Sequence, residues 1–209
     1  MSKTGDYFSK ERLQGLGERV KNVILKPKET FGIVKGESVT SRDLIIGYLA
    51  ILAIIPAVAS LIGMSAIGYS AGWAGRIRVP IGNSLARMIV QYVLTIGGIY
   101  ILSLIINALA PSFSGVKNNI AALKIAAYSS TPVLVAGIFY ILPALGILVF
   151  IAGLYGLYLL YVGIPIIMEC PPEKALVYTI VVIVAYIVIY LIIGAIAGAI
   201  TGTYTGLKM

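Results

Sequence analysis

The sequence predicts an all-α integral membrane protein, a bundle of about five transmembrane helices with an amphipathic N-terminal cytoplasmic segment. Three observations predict it. Hydrophobic residues make up 59% of the 209 and charged residues only 11%, against about a quarter charged in an ordinary soluble domain. The charges are also unevenly placed: residues 1–43 hold nine of the sixteen Lys/Arg and six of the eight Asp/Glu. Beyond Asp43 the chain falls into long apolar runs broken by short polar or Pro/Gly-rich stretches. Runs of about 20 apolar residues match the hydrocarbon thickness of a bilayer.

Residues 1–43 form the N-terminal segment. Leu13, Leu16, Val20, Val23 and Ile24 recur at spacings of three and four, which is one face of a helix. Pro27 ends that helix and suits the first turn of a second, reaching about Lys35. Phe31 and Val34 are its expected apolar contacts. Thr40 and Asp43 stand three apart before the first apolar run, as in a capping box. The amphipathic helix can lie on the cytoplasmic leaflet or dock on the bundle or on a protein partner. Lying on the leaflet is the favoured expectation.

The expected spans cover residues 44–63, 88–109, 125–142, 145–168 and 175–200, followed by a short tail, 201–209. Pro56 falls inside the first. A Gly-rich loop with Tyr69, Trp73, Arg76 and Arg78 precedes the second and suits the headgroup layer. Pro143 and Gly146 separate the third and fourth spans into a tight antiparallel hairpin. Glu169 to Lys174 form the last loop. With a cytoplasmic N-terminus, twelve Lys/Arg fall inside and four (Arg76, Arg78, Arg87 and Lys208) outside. The positive-inside rule then places the N-terminus in the cytoplasm and the C-terminus outside a multi-pass plasma membrane protein. No cleavable signal peptide is expected, because the first long apolar run begins near Leu44.

The sequence holds no histidine, which removes the commonest metal ligand and general base. A single cysteine, Cys170, excludes an intramolecular disulfide. The only metal-like grouping is Cys170 with Glu169 and Glu173, in a proline-rich loop. The spans contain no Asp or Glu, so neither ion-coupled transport nor nucleophilic catalysis has a base to work with. The expectation is a protein that is not an enzyme, has no catalytic residues, metal or cofactor, and binds no nucleic acid. Its net charge of +8 is met by topology and anionic lipid.

Two features invite function. Tyr128, Ser129, Ser130, Thr131 and Pro132 make the most polar stretch inside any span. Pro132 removes a helical N–H, and the neighbouring hydroxyls can satisfy freed backbone groups. This candidate polar kink should face the fourth helix or Asn107 of the second. In the fifth span Gly194, Gly198, Gly202 and Gly206 recur every four residues as a candidate packing ridge, within the chain or between copies. Tyr155, Tyr158 and Tyr161 add a stripe on the fourth helix.

Several pieces in order resemble the prokaryotic branch of the Yip family, named for interaction with Ypt/Rab GTPases. They are Leu25-Lys26-Pro27-Lys28-Glu29-Thr30-Phe31, then Ala126-Ala127-Tyr128-Ser129-Ser130-Thr131-Pro132, then Leu142-Pro143-Ala144-Leu145-Gly146 through Gly163, then Lys174-Ala175. The resemblance implies a five-span domain with a cytoplasmic N-terminus, and for prokaryotic members little beyond the fold. With no catalytic residues in sight, the expected role is membrane-organising or partner-binding, without catalysis. Partners would meet the N-terminal segment, or a second copy would meet the fifth span. The Asp-Leu-Tyr-Gly-Pro motif of eukaryotic members is absent, since this chain has only Asp6-Tyr7-Phe8. In the family's Gly-Tyr-Ser motif, Ala127 replaces the glycine. GTPase binding is therefore not carried over. The alternative class is a small-solute transporter or channel working through the polar kink.

Overall fold

A computed structural model describes residues 10–70, 76–77 and 80–205. Helix α1 (Lys10–Leu25) ends two residues before Pro27, with Lys26 between, and α2 (Pro27–Gly36) starts on that proline. Pro has no N–H to leave unpaired at a first turn and its φ is already helical, so the break and the restart have one cause. After α2 the Thr40 hydroxyl accepts from the Asp43 N–H while the Asp43 carboxylate accepts from the Thr40 N–H, a complete capping box.

Helix α3 runs Ser41–Ile67, with π-turns at Ile45–Leu49 and Gly63–Ile67. A two-residue antiparallel ribbon follows, β1 (Tyr69–Ser70) against β2 (Arg76–Ile77), pairing Tyr69 with Ile77 and Ser70 with Arg76. Helix α4 is Ile81–Leu109, extended by a 3-10 turn over Ala110–Phe113. It starts before the apolar run proper, directly after Pro80 at its N-cap, and carries Asn83 and Arg87 in its first turns. Helix α5 (Asn119–Ser129) also starts early, because the Asn118 side chain accepts from the N–H groups of Ile120 and Ala121 at 2.9 and 3.0 Å. Ser130 separates it from α6 (Thr131–Ala136), and a 3-10 turn over Gly137–Ile141 leads to the hairpin. Helix α7 is Gly146–Ile167 and α8 is Pro172–Thr205.

Among the described residues four stretches are long and apolar enough to cross a membrane: Ser41–Ile67, Ile81–Phe113, Asn119–Ile141 and Gly146–Ile167. The fifth expected span falls within the 34 residues of α8. The fold is an all-α membrane bundle, and its axis is the third stretch. Two thirds of its most apolar window (67%) is buried inside the protein, against 22% for the second. Neighbours therefore wrap α5 and α6 while α4 keeps a broad lipid-facing side, with Ile89, Val90, Val93 and Leu94 exposed.

Backbones come close where glycines allow it. A Cβ on Gly137 would sit 2.5 Å from Pro56 Cβ, so the buried proline of α3 seats directly on the turn after α6. A Cβ on Gly156 of α7 would sit 2.8 Å from the Ser129 carbonyl oxygen. Small residues at such crossings are how membrane helices approach closely. Of the expected ridge, Gly206 and the packing surroundings of Gly194, Gly198 and Gly202 lie outside the described residues.

Candidate functional site: the polar kink under a docked N-terminal hairpin

The kink forms at Ser130, where α5 stops and α6 begins. Pro132 cannot donate to the carbonyl of Tyr128, four residues back. The hydroxyls do not go to that carbonyl, contrary to expectation. Ser129 and Ser130 both donate to the Ala126 carbonyl, at 3.3 and 2.8 Å, and Thr131 donates to that of Ala127 at 3.4 Å. The Ser130 N–H reaches back to the Ala126 and Tyr128 carbonyls, which is how the break is closed. The hydroxyls thus reinforce the last turn of α5.

The kink faces two neighbours. On α7 it meets Gly156. On α3 the buried Tyr48 hydroxyl lies 2.7 Å from Thr131 Oγ1, and the Tyr48 ring meets Tyr128 edge-on, 5.0 Å between centroids at 75°. Asn107 is not part of this site. Its side-chain amide donates to Asn119 Oδ1 at 2.5 Å, at the far end of α5. Asn119 lies ten residues before Ser129, about 15 Å along the helix, so Asn107 pins the start of α5 and cannot reach the kink.

Above the kink lies the N-terminal segment, and its apolar face is spent on the bundle. Val23, Phe31 and Val34 are fully buried. The Phe31 ring fills the place of a side chain on Gly163, where a Cβ would be 3.0 Å from its Cζ. Docking on the bundle therefore replaces the expected repose on the leaflet. The seat over Gly163 of α7 buries the Phe31 ring almost completely, which an interfacial position would not.

Polar contacts fix the docked hairpin. Lys124 is buried, and its ammonium donates to the carbonyls of Val34 at 2.5 Å, Lys35 at 3.5 Å and Glu37 at 2.7 Å. These carbonyls stand at the C-terminal end of α2, where that of Val34 also accepts the Glu37 N–H at 3.3 Å and a cation meets the negative end of the helix dipole. Arg19 pairs with Glu37 at 2.6 Å, closing α1 onto the residue after α2. Lys35 pairs with Glu169 at 2.7 Å, and the Tyr155 hydroxyl donates to the Ile24 carbonyl at 2.6 Å. Tyr155 leans on Tyr158, but Tyr158 and Tyr161 are exposed.

Lys124, Tyr48, Gly156 and Gly163 were not singled out from the sequence. Lys124 carried a signal all the same, as the only charge between Lys117 and Glu169. A lone cation in an apolar run needs a partner. Among the described residues no three His, Cys, Asp or Glu side chains converge as a metal site would require.

An all-α bundle of lipid-length apolar helices, with its polar side chains turned inward onto backbone carbonyls, defines a multi-pass integral membrane protein. Residues 21–200 match the Yip1 domain, and the chain belongs to that family. It is 22% identical over 156 residues to the inner membrane protein YohC of Escherichia coli strain K12, covering 73% of this chain and 80% of the relative. The YohC protein of Escherichia coli O6:H1 matches to the same extent. No solved structure matches the chain.

Proposed function

We propose that this is a non-catalytic protein of the plasma membrane that organises the bilayer or holds a protein partner at the face bearing the N-terminal hairpin. The observation that carries the proposal is the Lys124 latch. A buried ammonium is satisfied entirely by carbonyls of a separate segment, so hairpin and bundle are built to recognise one another. The outer side of the hairpin stays uncovered, with Leu25 and Ile33 exposed beside Lys26 and Lys28. That surface is open to a partner or to anionic headgroups. The plasma-membrane placement draws on the relatives' description as inner membrane proteins. The charge balance supports a cytoplasmic N-terminus and an external C-terminus.

A transport role through the kink has less support. Ser129 and Thr131 are buried and their hydroxyls end on protein acceptors, so these two groups are already engaged in packing. The packing role of the Tyr128–Pro132 stretch is the better account.

Purification in mild detergent, with and without Lys124→Met, tests the proposal. A protein that accompanies the wild type and is lost from Lys124→Met supports partner binding at the docked hairpin. Solute uptake into proteoliposomes that is abolished by Pro132→Ala overturns it in favour of transport. Cysteines at positions 10 and 205 should label from opposite sides of the membrane.

A further inference from the structure

We propose that a groove between the start of α3 and the middle of α4 holds one acyl chain of an anionic phospholipid, with Arg42 on its phosphate. The groove has a volume of about 380 Å³ and is lined by Ile45, Tyr92, Val93, Ile96, Gly97 and Tyr100. Its size falls within the range of sites that hold small molecules. Its walls are hydrocarbon and aromatic, and both helices belong to stretches that cross the membrane.

The backbone explains why the groove exists. At Ile45–Leu49 the helix widens into a π-turn, closed by the Ala50 N–H on the Ile45 carbonyl. One extra residue in the turn displaces the helix surface locally. The Tyr92 hydroxyl donates to the Ala50 carbonyl at 3.1 Å and holds α4 against this turn. Gly97 then leaves the space open, because a Cβ there would meet nothing within 4 Å.

The occupant follows from what stands at one end. The Ile45 N–H donates to the Arg42 carbonyl, so Arg42 sits one turn before Ile45, toward the side of the N-terminal segment. Arg42 is exposed and makes no ion pair among the described residues. Tyr100, 45% exposed, is the lining residue of α4 nearest that same end. A guanidinium and a phenol at the mouth of an apolar groove complement a phosphate whose acyl chain runs inward. A second copy of the chain would bring no anion to Arg42 from its own apolar spans.

Native mass spectrometry in mild detergent, after titration with phosphatidylglycerol or phosphatidylcholine, tests this. One phosphatidylglycerol should stay on each chain. Gly97→Leu places its side chain in the groove and should release the lipid while helicity and melting temperature hold. Arg42→Gln should keep a lipid but no longer favour phosphatidylglycerol over phosphatidylcholine. Should Gly97→Leu fail to fold, Ile96→Phe narrows the same groove and should weaken retention. Wild-type retention by a folded Gly97→Leu overturns the proposal. So does a dimer that Gly97→Leu dissociates, since the groove would then hold a second copy.

Discussion

The ammonium of Lys124 lies 2.5 Å from the carbonyl oxygen of Val34, ninety residues earlier in the chain. This bond and its companion to Glu37 join the N-terminal hairpin to the most buried helix of the bundle. Replacing Lys124 by Met takes the ammonium from both carbonyls, and that of Val34 keeps only the 3.3 Å bond from the Glu37 N–H. Loss of hydrogen bonds to a charged group costs about 2 kcal/mol. Lys124→Met should therefore melt earlier in detergent and be cut sooner by protease within residues 10–37. Cleavage at the wild-type rate would show that the hairpin is held by its apolar face alone.

Tyr48 and Thr131 share one hydroxyl bond in a dry setting. Tyr48→Phe and Thr131→Val should each cost about 1 kcal/mol. The double variant should cost clearly less than the two added together, because both remove the same bond. Thermal or denaturant unfolding of the four proteins in one detergent completes the cycle. Strict additivity would remove this bond from the account of the kink.

Much of this architecture was legible in the sequence, and the losses have physical causes. Pro27, the Thr40–Asp43 box and the Pro143 hairpin are local signals, where one or two residues dictate the backbone, and each appears at its place. The kink at Ser130 was legible for the same reason. Its partners were not, since Tyr48 lies 83 residues away and no periodicity links two helices across a bundle. The hairpin's docking is one of two arrangements the sequence allows and not the favoured one, because an amphipathic face looks alike whether lipid or protein covers it. Asn107 was misplaced because its distance from the kink depends on the register of α4 against α5, which only packing decides.

Cys170 is buried between α7 and α8, and burial pushes its thiol above the usual range. Less thiolate is then present near neutral pH, and the thiolate is the reactive form. Maleimide labelling of the folded protein should be slow at pH 7 and rise only in alkali. The folded state holds the neutral thiol, so its stability contribution is intact below the ordinary thiol pKa and falls as pH rises past it. Rapid labelling at pH 7 without unfolding would mean that the loop opens.

Glycines should divide by what lies opposite them. Gly156→Leu should disrupt the contact with Ser129 and lower the melting temperature sharply, because the opposing atom is backbone and cannot rotate away. For the proposed ridge of α8, Gly198→Leu should lower melting temperature or change oligomer size. If both stay unchanged, the ridge plays no part in packing.

The central claim is that the N-terminal hairpin is docked on the bundle beside Lys124, and proximity in native membranes tests it most directly. Lys35 and Glu169 are in ionic contact at 2.7 Å, with both side chains partly open to solvent. With Cys170→Ser as background, Lys35→Cys and Glu169→Cys can be joined by a short bismaleimide and the product read on a gel after protease cleavage between the two sites. The docked arrangement predicts that the fragments remain joined, and that adding Lys124→Met weakens the link. Fragments that separate, although both cysteines are labelled singly, would contradict it.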